Sequence, residues 1–149
     1  MGTELADEII TGLNLEKTDV RGVPALTLAY LGDAVYEIVI RTMLVEKGMM
    51  HVGDLNKAAV GYVRAEAQKN LFKALEQELS EEETAAFKRG RNVKSNGCAK
   101  NASVTDYRIA TGFEALVGYL YLSGRMERIV ELVKIGLAKL NVSSKADNE

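Results

Sequence analysis

The chain has 149 residues, 47% of them hydrophobic and 27% charged, with one proline and a formal net charge of -2. That is the length and mix of about one globular domain; it excludes a proline-rich stalk, and at face value the slightly negative balance argues against nucleic acid as a partner. A lone Cys98 excludes an internal disulfide and a cysteine-rich metal site. The acidic start does not read as a signal peptide, and no apolar run reaches the roughly 18 residues of a membrane span, so no membrane association and a cytoplasmic protein are expected.

Apolar residues recur every three or four positions almost throughout, which predicts helices from end to end. A short first helix spans residues 3–13, with Leu5, Ile9, Ile10 and Leu13 on one face. Pro24 suits the first turn of a second helix, which carries Leu28, Leu31, Val35, Ile38 and Val39 and ends near Gly48. Asp54 is the expected N-cap of a third, running through Leu55, Ala59, Val63, Ala67 and Leu71 to Leu75. Ser80 with Glu83 makes a capping box for a short fourth helix that stops around Gly90. Periodicity lapses from Arg91 to Ser103, a loop. A fifth helix holds Ile109, Phe113, Leu116, Val117 and Leu120 and ends at Gly124; a sixth holds Ile129, Leu132, Val133, Leu137 and Leu140. Ser143 to Glu149 reads as a frayed polar tail. The expectation is all-α, one domain over residues 1–149 without a linker.

The net charge hides an uneven distribution. Between Lys88 and Arg108 stand six cations, Lys88, Arg89, Arg91, Lys94, Lys100 and Arg108, against Asp106 alone, while Glu76, Glu78, Glu81, Glu82 and Glu83 lie just upstream. Cations set among glycine and small polar residues such as Asn92 suit a phosphate backbone, which needs charge and close approach. The plainer reading is a solvated loop facing the acidic helix start beside it. Lys57, Arg64 and Lys69 on the third helix either extend such a surface or form an ordinary solvated face.

Two carboxylates sit where helix stability does not want them. Asp33 lies mid-helix beside Gly32, two unfavourable choices in a row, with Glu37 one turn on along the same face. Glu114 lies in the most apolar part of the fifth helix, one turn before Gly118. Two helices that each bring one carboxylate to a glycine-lined contact can share a divalent cation, and Mg2+ is commonly held by one or two protein carboxylates plus water and phosphate oxygens. The alternative is two buried acids paired with lysine or arginine. His51, the only histidine, falls in a connecting segment, and no nucleophilic triad is available.

These residues have a familiar arrangement. Leu28-Ala29-Tyr30-Leu31-Gly32-Asp33-Ala34-Val35 resembles the signature helix of the ribonuclease III catalytic domain, and Phe113-Glu114-Ala115-Leu116-Val117-Gly118 resembles its second acidic helix. Lys88 to Ser95, with Lys100-Asn101 and Tyr107-Arg108, resembles the basic loop of the Mini-III branch, the short form without a separate double-stranded-RNA-binding domain. The likeness spans Gly22 to Lys139. It implies an all-helical homodimer with a catalytic domain over about residues 22–140. It also implies dependence on Mg2+, with Mn2+ as a substitute, and cleavage of double-stranded RNA.

The resemblance further implies maturation of 23S ribosomal RNA precursors, with a large-subunit ribosomal protein as a candidate partner. On the matching positions, Asp33 and Glu114 are the catalytic metal ligands, with Glu37 and Thr111 standing just behind them. Lys88, Arg89, Arg91, Asn92, Lys94, Lys100 and Arg108 are RNA-binding, joined by Lys57 and Arg64. Ala29, Thr111 and Val52 stand where full-length enzymes carry further acids, a pattern like that of Mini-III. The alternative is a dimer that binds structured RNA without cutting it; a third reading, a helical protein adaptor, leaves the basic loop unexplained.

Overall fold

The computed structural model describes residues 4–93 and 103–147, residues 142–147 by backbone alone. The order is α1 (Leu5–Gly12), α2 (Ala25–Glu46), α3 (Val52–Val63), α4 (Ala65–Leu75), α5 (Glu81–Arg91), α6 (Val104–Leu122) and α7 (Met126–Asp147), with 3-10 turns at Val20–Gly22 and Glu76–Glu78. No strand occurs among the described residues, as the periodicity predicts.

The core is built around α6. Every residue from Ile109 to Tyr121 is buried except Glu114, and α2, α4, α5 and α7 pack against this helix. A helix apolar on all sides belongs at the centre of a fold. Around it, α2 contributes Leu28, Val35, Tyr36, Ile40 and Leu44, a three-and-four spacing that buries one stripe. Phe72 of α4 stacks on Phe87 of α5 with ring centroids 3.9 Å apart, and Tyr36 meets Phe113 edge-on at 5.2 Å. Each large side chain taken out of water in this way contributes roughly 1.5–3 kcal/mol.

The caps follow the local chemistry. Pro24 occupies the N-cap of α2, and the Ser80 hydroxyl accepts from the Glu83 amide while Glu83 returns the bond to the Ser80 amide. Gly48 and Gly124 take φ of 98° and 72° just past the ends of α2 and α6. That conformation lets the amides of Met49 and Arg125 bond back to the carbonyls of Leu44 and Leu120.

Two expectations differ from the structure. The third helix starts at Val52, with His51 rather than Asp54 at the N-cap, and it breaks at Arg64, whose backbone is extended (φ -66°, ψ 156°). The break is held from outside: the Tyr36 hydroxyl donates to the Tyr62 carbonyl at 3.0 Å and the Gln68 amide to the Val63 carbonyl at 2.7 Å. The backbone of α7 is helical to Asp147, past Ser143, where the sequence predicts a polar tail, and Asn148 and Glu149 lie outside the described residues. The fourth predicted helix stops around Gly90 as expected, at Arg91, and Gly90 itself is buried against α6.

Candidate active site

The acids converge because two helices touch backbone to backbone. A Cβ on Gly32 would stand 1.8 Å from the Glu114 carbonyl oxygen, and one on Gly118 would stand 2.0 Å from the Leu28 carbonyl oxygen. Only hydrogen fits at either point, so α2 and α6 cross at their closest where Asp33 and Glu114 emerge. The glycine beside Asp33, costly to a helix taken alone, is required by this crossing. A second bare contact, between Gly90 and Gly112, seats α5 on the other side of α6.

Asp33 is exposed, and Glu114 is half-buried beneath it. The Glu114 carboxyl is pushed up to about 9, first by burial, then by a hydrogen bond with Asp33 that only the protonated acid can donate, then by the charges of Asp33 and Glu37. The alternative weighed from sequence, a lysine or arginine partner for each acid, is not what surrounds Glu114. Glu37 instead has such a partner, accepting from Arg41 at 2.9 Å on the exposed face of α2. No group of three or more carboxylate, histidine or cysteine side chains placed to hold a single ion occurs among the described residues. The donor set is thus a close pair, Asp33 and Glu114, with Glu37 acting on it through charge. Two hard oxygen donors with excess negative charge and, among the described residues, no cation between them fit a divalent ion such as Mg2+.

Thr111, one turn before Glu114, is buried and gives its hydroxyl proton to the Tyr107 carbonyl at 2.9 Å. The cations divide by use. Arg89 donates to the Val23 carbonyl at 3.1 Å, tying α5 to the approach of α2. Lys69 pairs with Asp106 at 3.1 Å, which neutralises the one acid of the basic stretch. Arg91 lies with its guanidinium 5.6 Å from the Phe87 ring centre, bonded to Asn92, and it lines an open cleft with Asn92, Thr105 and Arg108. Lys88, Lys57 and Arg64 are exposed; Lys94 and Lys100 lie outside the described residues.

The acidic start of α5 does not face this basic end. Glu83 meets Arg128 at 2.7 Å, Glu82 meets Arg125 and Tyr119, and Glu78 meets Lys139. The clusters occupy the first and last turns of α5, and their nearest members, Glu83 and Lys88, are five residues apart, about 7.5 Å along the axis. Sequence reasoning missed Arg41; its signal was the four-residue spacing from Glu37, itself four from Asp33.

An all-helical scaffold holding paired acids at a glycine crossing, with a cationic rim, defines the class when set beside known proteins: residues 26–125 match the Ribonuclease III domain, an endoribonuclease family. A Mini-ribonuclease 3 of Clostridium tetani is 45% identical over 139 residues, 93% of this chain and 92% of that one. One of Brevibacillus brevis is 53% identical over 76% of this chain and 84% of its own length. A solved structure of a Fusobacterium nucleatum protein superposes with a TM-score of 0.72 at 32% identity, covering 81% of this chain and 97% of that one. The chain belongs to the ribonuclease III family and, within it, to the Mini-III branch. Members of the ribonuclease III family act on double-stranded RNA, as dimers, and are generally dependent on divalent metal. No helix among the described residues is long and apolar enough to cross a membrane.

Proposed function

We propose that this endoribonuclease is a Mg2+-dependent homodimer that cleaves double-stranded RNA at Asp33 and Glu114 and matures the ends of the 23S ribosomal RNA precursor in the cytoplasm. The observation that carries the reading is the Glu114 carboxyl, without a cationic partner among the described residues, beside Asp33 and pushed up to about 9. Asp33 and Glu114 would hold a divalent ion, which would supply a lowered pKa for an attacking water and offset charge on the leaving oxygen. The chain's own part is to hold and to grip. Asp33 and Glu114 would hold the ion from two helices whose spacing the glycines set. Arg91, Asn92 and Arg108, with Lys88, Lys57 and Arg64, engage phosphates along the duplex. A-form RNA suits this surface, being read through phosphates and 2′-hydroxyls rather than base edges.

Exposed apolar side chains on α2 and α7 support the dimer: Tyr30 is 82% exposed, Ile38 56% and Val130 48%, and a groove of Val39, Met43, Val133 and Leu137 runs between the helices. The second reading, a dimer that grips RNA without cutting, draws on the two-member carboxylate set. One experiment decides. Long duplex RNA is incubated with Mg2+ and either the parent or Asp33→Asn, and the same pair is given transcripts spanning the 23S precursor ends. Cleavage of both by the parent alone is expected. Binding without cleavage selects the gripping dimer, and the absence of salt-sensitive binding selects the adaptor.

A further inference from the structure

Asp33, Glu37 and Arg41 stand four residues apart along one exposed face of α2, a row that begins at the paired acids and ends in a guanidinium. Arg41 Nη2 donates to Glu37 Oε2 at 2.9 Å, with the two side chains 64% and 36% exposed. Glu37 is close enough for its charge to act on Glu114, yet it joins no three-member cluster able to hold an ion. The third carboxylate of the neighbourhood is turned toward an arginine instead.

We propose that Arg41 is a positioning residue that exchanges partners: it holds Glu37 in the RNA-free protein, and a backbone phosphate takes over its guanidinium when a duplex docks, releasing Glu37 toward the metal. This rests on the reading of Asp33 and Glu114 as the metal site of a double-stranded-RNA nuclease. The chemistry favours exchange. A guanidinium offers the same two-pronged donor set to a phosphate as to a carboxylate. An exposed pair four residues apart on a helix is weak, so a polyanion competes with it readily. Three carboxylates repel an approaching phosphate backbone, and a cation at the end of their row gives that backbone a point of attachment one turn from the nearest acid. Exchange also removes the positive charge from Glu37 only when substrate is present, so the third donor and the RNA arrive together.

The test uses the full chain and two readouts besides cleavage: Mn2+ binding without RNA, followed by electron paramagnetic resonance, and the salt dependence of duplex-RNA binding in metal-free buffer. Arg41→Ala is expected to raise Mn2+ affinity about threefold by freeing Glu37, and to reduce the slope of log affinity against log salt by about one. Adding Glu37→Gln to Arg41→Ala removes the Mn2+ gain. Glu37→Gln alone, which frees the guanidinium, tightens duplex binding about threefold. Either the Mn2+ affinity or the salt slope of Arg41→Ala equal to that of the parent overturns the exchange. A parent that binds neither Mn2+ nor duplex RNA overturns the metal-site reading and the exchange with it.

Discussion

Glu83 and Glu114 are both glutamates drawn out of water on neighbouring helices, and the fold treats them in opposite ways. Glu83 accepts from Arg128 Nε at 2.7 Å, from Arg128 Nη2 at 2.9 Å and from the Ser80 amide at 2.8 Å. The Arg128 guanidinium, against a smaller opposing effect of burial, holds its carboxyl below the usual range. Glu114 has acids for neighbours and sits at about 9. The fold can pair a buried carboxylate completely when it needs to. Glu114, which meets Asp33 and no cation among the described residues, is the carboxylate that the proposed function assigns to the metal.

The sharpest way to break the comparison is Gly32→Ala. With a Cβ 1.8 Å from the Glu114 carbonyl oxygen, backbone must shift, and a loss of about 3 kcal/mol or more in urea unfolding is expected, together with loss of cleavage. Glu114→Gln separates the two properties. Cleavage of duplex RNA falls about a thousandfold or more, while the metal-free protein becomes more stable at alkaline pH. The folded-state value of about 9 lies above the ordinary glutamate value of 4.5, so this group's contribution is full below about 4.5 and is lost as pH rises through about 9. Urea unfolding across that window shows the loss in the parent and not in the variant, a difference of about 2–4 kcal/mol.

Arg128→Ala tests the other glutamate. It strands Glu83, which is 3% exposed, and costs about 3 kcal/mol, with the cleavage rate per folded molecule unchanged. The pH limb here has the opposite sign. A depressed carboxyl contributes stability above its usual value of 4.5, lost as pH falls through the lower folded value, so the parent weakens in acid and Arg128→Ala has less to lose.

Much of this was legible in the chain. Asp33 and Glu114 stood out because each violates a local preference, and such violations mark positions selected for something other than the helix. The Ser80–Glu83 box and the glycines after α2 and α6 are short-range signals, and they hold. What the sequence hid is non-local. The break at Arg64 depends on Tyr36 from another helix and on Gln68 one turn later, with no proline or glycine at the break itself. Arg128 reads as an ordinary exposed charge near a helix start, and only packing brings it to Glu83. Gly90 looks like a stop signal because a glycine near a helix end usually is one; its reason is the surface of α6.

The glycine crossing has a consequence for how such an enzyme varies. The gap between Asp33 and Glu114 is gauged by main chain against main chain at Gly32 and Gly118, not by the length or rotamer of any packed side chain. Changes on the rim, along α3, at the end of α5 or at the start of α6, can alter which RNA is held and how firmly. They leave untouched the backbone contact that sets Asp33 beside Glu114. Under the proposed function, substrate choice and metal geometry are thus separate inheritances in one small chain, and the first can drift while the second stays fixed.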